Sequence, residues 1–524
     1  MEKYTPMMQQ YLEVKKGYQD ALVFYRLGDF YEMFFEDAKV ASVELDLVLT
    51  GRNAGVEERV PMCGVPFHAA DNYIQKLVNR GYKVAVVEQM EDPATAVGLV
   101  KRDVIKVVTP GTITNVNNEK ASIYIGSIYD YQYGYVFISA EVSTGETILT
   151  YLPHTVTALV QEILKNNVKE VVVKSNFSQN VIKSLRELGN VVISYCDETS
   201  IKEQYLPLCK NLSETRCLET YGILLNYLEA TQKRVLDHLQ LVEVEHEGEV
   251  LTRDCNTQLN LELITPLRPG AKTENLWTFM DLCRSAMGSR LLKKWIEKPL
   301  VNQSKIEQRL DRVAYLNKHF MKRNDLKEAL GKIYDMQRLT ARIAMPNANA
   351  TDCLRLIKTL EQVPAIFDCV KDPVFDEFTS LDPLTELYDY IKDAFVENPP
   401  STTREGKMFR DGFSKELDEI RVIQQDGKKW ILECENKEKE RTGIKTMKIG
   451  YNRVFGYYIE VSKAATNMIK EEYGYVRKQT LANAERYITA ELKEKEDLIL
   501  HAEERAIALE SKLFAEIIER IKSY

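Results

Sequence analysis

Cysteine, histidine and long apolar runs are scarce in this 524-residue sequence, and each scarcity excludes a class of protein. Because no run of 18 apolar residues occurs, we predict no membrane-spanning helix. The start of the chain lacks the basic, apolar and small-residue regions that define a signal peptide. The nine cysteines form no CxxC pair and the six histidines are dispersed, so neither a zinc site nor a disulfide framework is expected. These features are typical of a cytosolic protein with reduced thiols.

Nucleotide-binding and hydrolase motifs are also missing from the sequence. The glycine–lysine pairs that begin at positions 331, 406 and 427 lack the upstream glycine of a GxxxxGK[ST] phosphate loop. Neither HExxH nor GxSxG occurs. Asp130 and Glu141 on β-like segments leave a metal-dependent nuclease as an alternative, although a two-metal site needs several converging carboxylates. We therefore expect no catalytic residue, no metal ligand and no cofactor-binding residue in this chain.

The net charge of −8 argues against nucleic-acid binding over the whole surface, but the charge is unevenly distributed. Residues 441–490 contain nine Lys or Arg against four Asp or Glu, a local excess of five positive charges. Such a patch can follow phosphates while the rest of the chain stays soluble, and the alternative is a solvated surface with chance clustering. Aromatic and small residues separate its main cations, which are Arg441, Lys445, Lys448, Arg453, Lys463, Arg477, Lys478 and Arg486.

Two segments of mixed strands and helices precede residue 250. A polar, turn-rich linker is expected between them at 109–118. The second segment begins with a β-meander at 121–151 and continues with alternating helices and strands to about residue 245. The periodicity predicts strands at 21–27, 83–89 and 170–173, a turn at 28–29, and helices at 35–49, 73–79, 156–165 and 181–188.

From about residue 257 the pattern becomes helical. Helices are predicted at 276–296, 304–317, 351–360 and 416–440, a β-hairpin region at 444–461, and a final helix from 492 to 521. The helix at 416–440 is strongly charged with a thin apolar stripe, which is typical of a helix that bridges domains. The final helical pattern meets no Gly or Pro stop, which indicates a fragment of a longer chain.

The segment GDFYEMF at 28–34 places an aromatic side chain and an acid two residues apart beside a glycine turn. On an extended backbone, Phe30 and Glu32 project to the same side. An apolar ring can wedge between base pairs and kink DNA, and the cost is lowest where pairing is already faulty. A carboxyl group there can exchange a hydrogen bond with a displaced base. The alternative is that Phe30 is one more core aromatic and Glu32 a surface charge.

The same segment resembles the Phe-x-Glu mismatch-reading motif of the bacterial MutS family. Other segments resemble that family in its own order, from residue 5 to the end of the chain. They are TPMMQQY at 5–11, PMCGVPFHA at 61–69, VEQMEDP at 87–93, VTPGT at 108–112, MGSR at 287–290, YNRVFGYYIE at 451–460 and RKQTLANAERY at 477–487. Several long motifs in one order make the resemblance highly specific.

The resemblance implies a multidomain protein of the α/β plus all-α class. Its expected parts are a mixed α/β mismatch-binding domain at 1–112, an RNase H-like α/β connector at 113–250, a long-helix core or lever at 257–439 and 492–524, and an inserted β-rich clamp at 440–491. The RNase H-like fold implies no nuclease activity.

By the same resemblance, Phe30 stacks on the mispaired base and Glu32 contacts that base. The other residues expected to reach DNA are Arg52, Met62 and Arg102 in the first domain and Arg453, Lys478 and Asn483 in the clamp. Ala482 departs from those family members that carry a lysine there, so one phosphate contact is expected to be missing.

The implied function is recognition of mismatched or unpaired bases in double-stranded DNA to initiate mismatch repair in the bacterial cytoplasm. Family members are homodimers, have a MutL-type partner, and are DNA-dependent ATPases through a C-terminal domain that binds Mg-ATP or ADP. We therefore expect nucleotide chemistry only outside this chain, which is itself expected not to be an enzyme. The open alternatives are a structure-specific nuclease that uses the second domain and a scaffold whose long helices bind protein partners.

Overall fold

The computed structural model describes residues 4–91, 98–113, 119–245, 248–251, 253–268, 275–345, 348–400, 402–452, 456–481 and 483–524. The chain divides into two units. The first comprises residues 1–344 and 365–380, and the second comprises residues 345–364 and 381–524. Within the described ranges, no helix is long and apolar enough to cross a membrane.

The first unit begins with a six-stranded sheet that buries apolar side chains on both faces. Its elements are α1 (Pro6–Gly17), β1 (Ala21–Leu27), β2 (Phe30–Phe34), α2 (Phe35–Leu45), β3 (Thr50–Arg52), β4 (Val60–Pro66), α3 (Ala70–Asn79), β5 (Lys83–Gln89) and β6 (Arg102–Val108). The strand order is β3-β4-β2-β1-β5-β6, with β1 and β5 parallel. Leu22 and Phe24 pack with α2 and α3, whereas Val23 and Tyr25 pack with α1. Burial on both faces explains the continuous apolar run in β1.

A second six-stranded sheet follows, and it is also covered on both faces. Its elements are β7 (Tyr124–Tyr131), β8 (Gly134–Ala140), β9 (Thr147–Pro153), α4 (Val156–Lys165), β10 (Val168–Val173), α5 (Gln179–Gly189), β11 (Val192–Tyr195), α6 (Thr215–Gln232) and β12 (Glu243–Glu245). The strand order is β11-β10-β7-β8-β9-β12. Val136 and Ile138 of β8 pack with α6, whereas Tyr135 and Phe137 pack with α4 and α5.

The junction between the two sheets begins where the turn-rich linker was predicted, because no helix or strand occurs in the described residues between β6 and β7, but its first residues are buried. Thr109 and Thr112 are buried beside Glu170 of β10, which is itself fully buried. The Glu170 carboxylate accepts hydrogen bonds from the Thr109 hydroxyl, the Gly111 amide at 3.1 Å, the Ser194 hydroxyl at 2.6 Å and the Tyr227 hydroxyl at 2.5 Å. A buried carboxylate is costly unless donors satisfy it. The bonds from Thr109 and Gly111 tie the segment after β6 to the second sheet, and those from Ser194 and Tyr227 satisfy the carboxylate from within the second domain. Residues 114–118 lie outside the described ranges.

Short helices complete the first unit. They are α7 (Cys255–Asn260), α8 (Leu276–Met280), α9 (Ala286–Glu297), α10 (Gln303–Lys318), α11 (Phe320–Lys332) and α12 (Met336–Ile343). The prediction of one helix at 276–296 is wrong, because residues 281–285 are not helical and separate α8 from α9. The Ser285 hydroxyl caps α9 by accepting the Gly288 amide at 3.2 Å, and Asp281 accepts the Ser289 hydroxyl at 2.7 Å. These local bonds to polar side chains compete with continuation of the helix.

Two long helices and a four-stranded sheet form most of the second unit. The next elements in chain order are α13 (Ala350–Leu360), α14 (Val363–Cys369), α15 (Asp376–Thr379), α16 (Thr385–Ala394), α17 (Lys415–Thr442), β13 (Lys448–Asn452), β14 (Gly456–Ser462), β15 (Val476–Thr480), β16 (Ala484–Ile488) and α18 (Ala490–Lys522). Of these, α15 and most of α14 belong to the first unit, which includes residues 365–380. The sheet is antiparallel with the order β13-β14-β16-β15. Ile459 and Val461 on one face of the sheet pack with Trp430 of α17 and Leu492 of α18.

Candidate nucleic-acid interface

Phe30 lies at the tip of the β1–β2 hairpin, where the chain reverses within two residues. Leu27 pairs with Phe30 across the turn, and Gly28 has a φ of +58°, a conformation that favours glycine. The Phe30 side chain is 47% exposed, whereas Phe24 and Phe34 of the same strands are fully buried. The alternative that Phe30 is a core aromatic is therefore wrong.

The face of the sheet around Phe30 is open because helix α1 covers only its far end. Side chains alternate along a strand, so Phe30, Glu32 and Phe34 lie on one face. Tyr11 of α1 packs edge-on against Phe34, with ring centroids 5.0 Å apart. Glu32 is half-buried and Phe30 is exposed. Exposure therefore increases along β2 towards the hairpin tip.

Glu32 forms an ion pair with Arg52 of the edge strand β3. The Arg52 guanidinium also lies 5.9 Å from the centroid of the Phe34 ring. Glu32 on β2 pairs with Gly64 on the neighbouring strand β4. A Cβ at Gly64 would lie 3.5 Å from the Glu32 Cγ. The absent side chain leaves one flank of the Glu32 side chain uncovered.

Met62 of β4 lies on the same face of the sheet as Phe34 and Glu32. It pairs with Phe34 on β2 and with Thr50 on β3, and it is half-buried. The structure therefore places Arg52 and Met62 on the same face as Phe30 and Glu32, although both lie 20 or more residues further along the chain.

Arg102 at the start of β6 is bonded within the fold. Its Nε donates to the Arg26 carbonyl at 2.8 Å, and one terminal nitrogen donates to the Val100 carbonyl at 3.0 Å and the Gln10 side chain at 3.2 Å. Its guanidinium also lies 5.3 Å from the centroid of the Tyr25 ring. These bonds hold the guanidinium against strand β1, and a DNA contact by Arg102 stays a prediction.

In the second unit, Lys478 occupies a bulge in strand β15. Arg477 pairs with Tyr487 and Gln479 pairs with Arg486, which leaves Lys478 between them without a partner residue on β16. A bulge of this kind turns a side chain away from the regular alternation of the strand. Lys478 is exposed.

Asn483 lies in the loop that joins β15 to β16, close to the end of β14. Its side chain is exposed, and its carbonyl accepts the Lys463 amide at 3.0 Å. Lys463 follows the last residue of β14, so Lys463 and Asn483 lie at one end of the sheet, whereas Lys478 lies in the middle of β15. Arg453 and Ala482 lie outside the described residues.

Six of the eight cations predicted from the charge count fall into two groups. Arg453 lies outside the described residues, and the exposed Lys448 carries a charge that helps to lower the pKa of Glu435. Arg441 pairs with Glu438 at 2.7 Å, Arg477 with Glu485 at 3.4 Å, and Arg486 with Glu460 at 2.9 Å. In contrast, the side chains of three exposed lysines have no hydrogen-bonding or ion-pair partner among the residues that the structure describes. These are Lys445, Lys463 and Lys478. Unpaired lysines in water are available to phosphate, whereas an arginine held by a carboxylate must first lose that partner.

The two carboxylates of the nuclease alternative do not converge. Asp130 pairs with Tyr135 near the β7–β8 turn, whereas Glu141 follows the other end of β8. At about 3.4 Å per residue, roughly 20 Å separates the two positions. Glu141 is already bonded, to the Ser143 hydroxyl at 2.7 Å and to Arg338 at 3.2 Å. Across the described part of the chain, no cluster of three or more His, Cys, Asp or Glu could hold a metal ion.

One residue of the first domain that the sequence did not single out is Arg26. Its Nε donates to the Gly28 carbonyl at 2.5 Å, so it contacts the turn that carries Phe30. The only signal in the sequence is its place two residues before the glycine, inside an apolar run. An isolated arginine near a strand end is usually a solvated surface residue, so Arg26 could not be selected from the sequence.

An α/β domain with an exposed aromatic at a hairpin tip, a second α/β domain, and long helices that carry a basic sheet define a multidomain protein with a candidate DNA-binding surface. Three family profiles match it in order. They are described as MutS domain I at residues 5–117, MutS domain II at 123–240 and MutS domain III at 256–524. Because the last profile alone matches more than half of the sequence, the chain belongs to the MutS family.

Curated relatives show the same similarity over the whole chain. The chain is 45% identical over 534 residues to the DNA mismatch repair protein MutS of Bacillus cytotoxicus, covering 100% of this chain and 59% of that protein. It is 45% identical over 532 residues to the proteins of the same name from Bacillus thuringiensis and Bacillus anthracis, covering 100% of this chain and 60% and 59% of theirs. The chain therefore spans about three-fifths of the length of these relatives.

Proposed function

We propose that this chain recognises mismatched or unpaired bases in double-stranded DNA and thereby helps to initiate mismatch repair. The observation that carries the proposal is the exposure of Phe30 at a hairpin tip, in a domain whose neighbouring aromatics are buried. In this proposal the ring enters a weakened base step, where unstacking costs least. The names of the curated relatives support the same assignment.

In the proposal, Glu32 contacts the displaced base and Arg52 changes partner when DNA binds. Without DNA, Arg52 neutralises the Glu32 carboxylate. A phosphate near Arg52 would compete for the guanidinium, because arginine binds phosphate and carboxylate through the same planar donors. Release of Arg52 would then free Glu32 to exchange a hydrogen bond with the base. Met62 lies on the same face and contributes apolar contact at the opened groove.

The sheet of the second unit acts in the proposal as a clamp on the DNA backbone. Lys478 and Asn483, with Arg453 by resemblance, contact phosphates irrespective of sequence. Such contacts fix position without reading base identity. A sensor that must inspect any sequence needs this division, because it then responds to the deformability of the duplex at the tip.

We also propose that the second domain is an RNase H-like connector. The meander β7–β9, with β10 and β11 added parallel to β7, supports this assignment. Binding and hydrolysis of Mg-ATP are assigned to segments outside residues 1–524, since the chain lacks a phosphate loop. Homodimerisation, a MutL-type partner and a cytoplasmic location complete the proposal by family resemblance.

A mobility shift without ATP tests the proposal. The chain is titrated against a duplex with a G·T pair or one unpaired base and against the fully paired duplex of the same sequence. Phe30→Ala should lower the affinity for the duplex with the mismatched or unpaired base (the faulty duplex) by about fivefold or more relative to the paired duplex. The reason is that stacking of one base on an aromatic side chain is worth about 1–3 kcal/mol.

Tyr133→Ala is the matched control for this substitution. Tyr133 is an aromatic at the turn between β7 and β8 and is 79% exposed, so it shares the geometry of Phe30 without its assigned role. The control should keep the wild-type preference. Equal affinity of the unmodified chain for the two duplexes would contradict the proposed function.

A further inference from the structure

The hairpin turn that carries Phe30 is bonded on two sides. The Arg26 Nε donates to the Gly28 carbonyl at 2.5 Å, and the Phe67 amide donates to the Asp29 carbonyl at 2.9 Å. Gly28 and Asp29 are the two loop residues of the turn, and both are exposed. A two-residue loop with a glycine is otherwise soft, because glycine has the widest backbone freedom.

The Arg26 side chain is itself held on several sides. Its guanidinium lies 3.9 Å from the centroid of the Phe67 ring and 5.5 Å from that of Tyr31. The Glu88 carboxylate lies 3.6 Å from an Arg26 nitrogen, and Tyr31 donates a hydrogen bond to the same carboxylate. Burial and the neighbouring Glu88 raise the pKa of Tyr31, so its hydroxyl keeps the proton it donates. The Arg26 side chain is consequently only 16% exposed.

These contacts lie on the face of the sheet opposite to Phe30. Arg26 pairs with Tyr31 across the strands, and Tyr31 packs with the core on the α2 and α3 side. Phe30, one residue before Tyr31, projects to the other face. Arg26 therefore contacts the turn from the face of the sheet opposite to Phe30, and it does not point towards the DNA that Phe30 would enter.

We infer that Arg26 is a positioning residue for the Phe30 wedge, fixing the Gly28–Asp29 turn so that the ring is held in its inserting orientation. This inference rests on the proposed function. A wedge must push apart two stacked base pairs, and a turn that yields under that load would withdraw the ring instead. Fixing the turn before binding removes the ordering cost that a mobile tip would otherwise add.

The test compares binding of paired and faulty duplexes by Arg26→Gln, Arg26→Lys and Phe30→Ala. Arg26→Gln should lower the ratio of the two affinities roughly threefold or more, a part of the loss expected for removal of the ring. Affinity for the paired duplex and its salt dependence should not change. Arg26→Lys keeps the charge beside Glu88 but lacks the planar stacking group and the Nε donor, so it should not restore the ratio.

Arg80→Gln is the matched control. Arg80 also donates to a backbone carbonyl and pairs with a carboxylate, in both cases of Glu44. It lies beside the start of β5, which pairs with the start of β1 and therefore with the end of the sheet away from the tip. The control variant should keep the wild-type ratio.

Hydrogen exchange separates a positioning role from a general loss of folding. In Arg26→Gln the Phe67 amide, which donates to the turn, should exchange faster. The Val23 amide donates to the buried Asp37 carboxylate at 3.0 Å in the middle of β1, and its exchange should stay unchanged.

Four results would overturn the inference alone. They are an unchanged affinity ratio in Arg26→Gln when Phe30→Ala has lost the preference, full recovery by Arg26→Lys, a salt slope lowered as for a direct phosphate contact, and faster exchange at Val23. If Phe30→Ala keeps the preference, the proposed function fails, and the inference fails with it.

Discussion

The hairpin tip of the first domain and the four-stranded sheet of the second unit differ in how many of their cations are paired with carboxylates. At the tip, Arg26 pairs with Glu88 and Arg52 with Glu32. In and beside the sheet, Arg477 and Arg486 are paired with carboxylates, but the side chains of Lys463 and Lys478 are exposed and have no partner among the described residues. A neutralised tip offers apolar contact, whereas free lysines offer attraction to phosphate at any sequence. In the proposed function, the two regions would therefore serve different parts of recognition.

The largest effect that can break this comparison concerns stability at the tip. Phe24→Ala, in the core of the same hairpin, should destabilise the domain by about 3–5 kcal/mol. Phe30→Ala should cost no more than about 1 kcal/mol, because the ring is largely outside the core. Urea unfolding, monitored through hydrogen exchange of the β1 amides, measures the loss in free energy of unfolding for both variants. A cost of several kcal/mol for Phe30→Ala would show that the ring is part of the core.

The next effect concerns the lysines of the sheet. Lys478→Ala should weaken binding to paired and faulty duplexes equally and lower the salt slope by roughly one unit, because one phosphate contact is lost. Titration at several salt concentrations measures the slope. Lys470→Ala is the control, since Lys470 already pairs with Glu472 at 3.2 Å. A loss confined to the faulty duplex would assign Lys478 to base reading and remove the contrast between the regions.

The smallest effect concerns the carboxylate at the tip. Glu32→Gln should keep or raise affinity for the paired duplex, by about twofold, because one charge near phosphates changes affinity only modestly at physiological salt. The substitution removes a negative charge near phosphates and frees Arg52 to contact them. Glu36→Gln on α2 is the control, because Glu36 pairs with Lys39 at 2.7 Å. A uniform fall in affinity for both duplexes would count against the role assigned to Glu32.

Secondary structure with strong periodicity was predictable from the sequence. The strands at 21–27 and 83–89 and the helix at 156–165 coincide with β1, β5 and α4. The helix predicted at 35–49 ends at Leu45, because Asp46 adopts a left-handed φ of +55°. That end was not predictable, because an aspartate fits a helix surface as well as its left-handed end.

The candidate site was predictable only in part. The spacing of Phe30 and Glu32 on an extended strand places them on one face, and the motif resemblance selects them. The ion pair of Glu32 with Arg52 was not predictable, because it depends on β3 and β2 lying on either side of β4. The same holds for the pairing of Arg486 with Glu460, which removes one cation from the predicted patch.

By itself, the sequence determined the family, the order of α/β and helical segments, and the presence of an aromatic and an acid beside a glycine turn. These are local properties, because periodicity and turn chemistry act between residues that are close along the chain. Only the tertiary structure decided that Phe30 is exposed, that Arg26 supports the turn, and that Lys478 lies in a bulge without a partner. Exposure and charge pairing depend on which strands and helices pack side by side, and that packing joins residues distant in sequence.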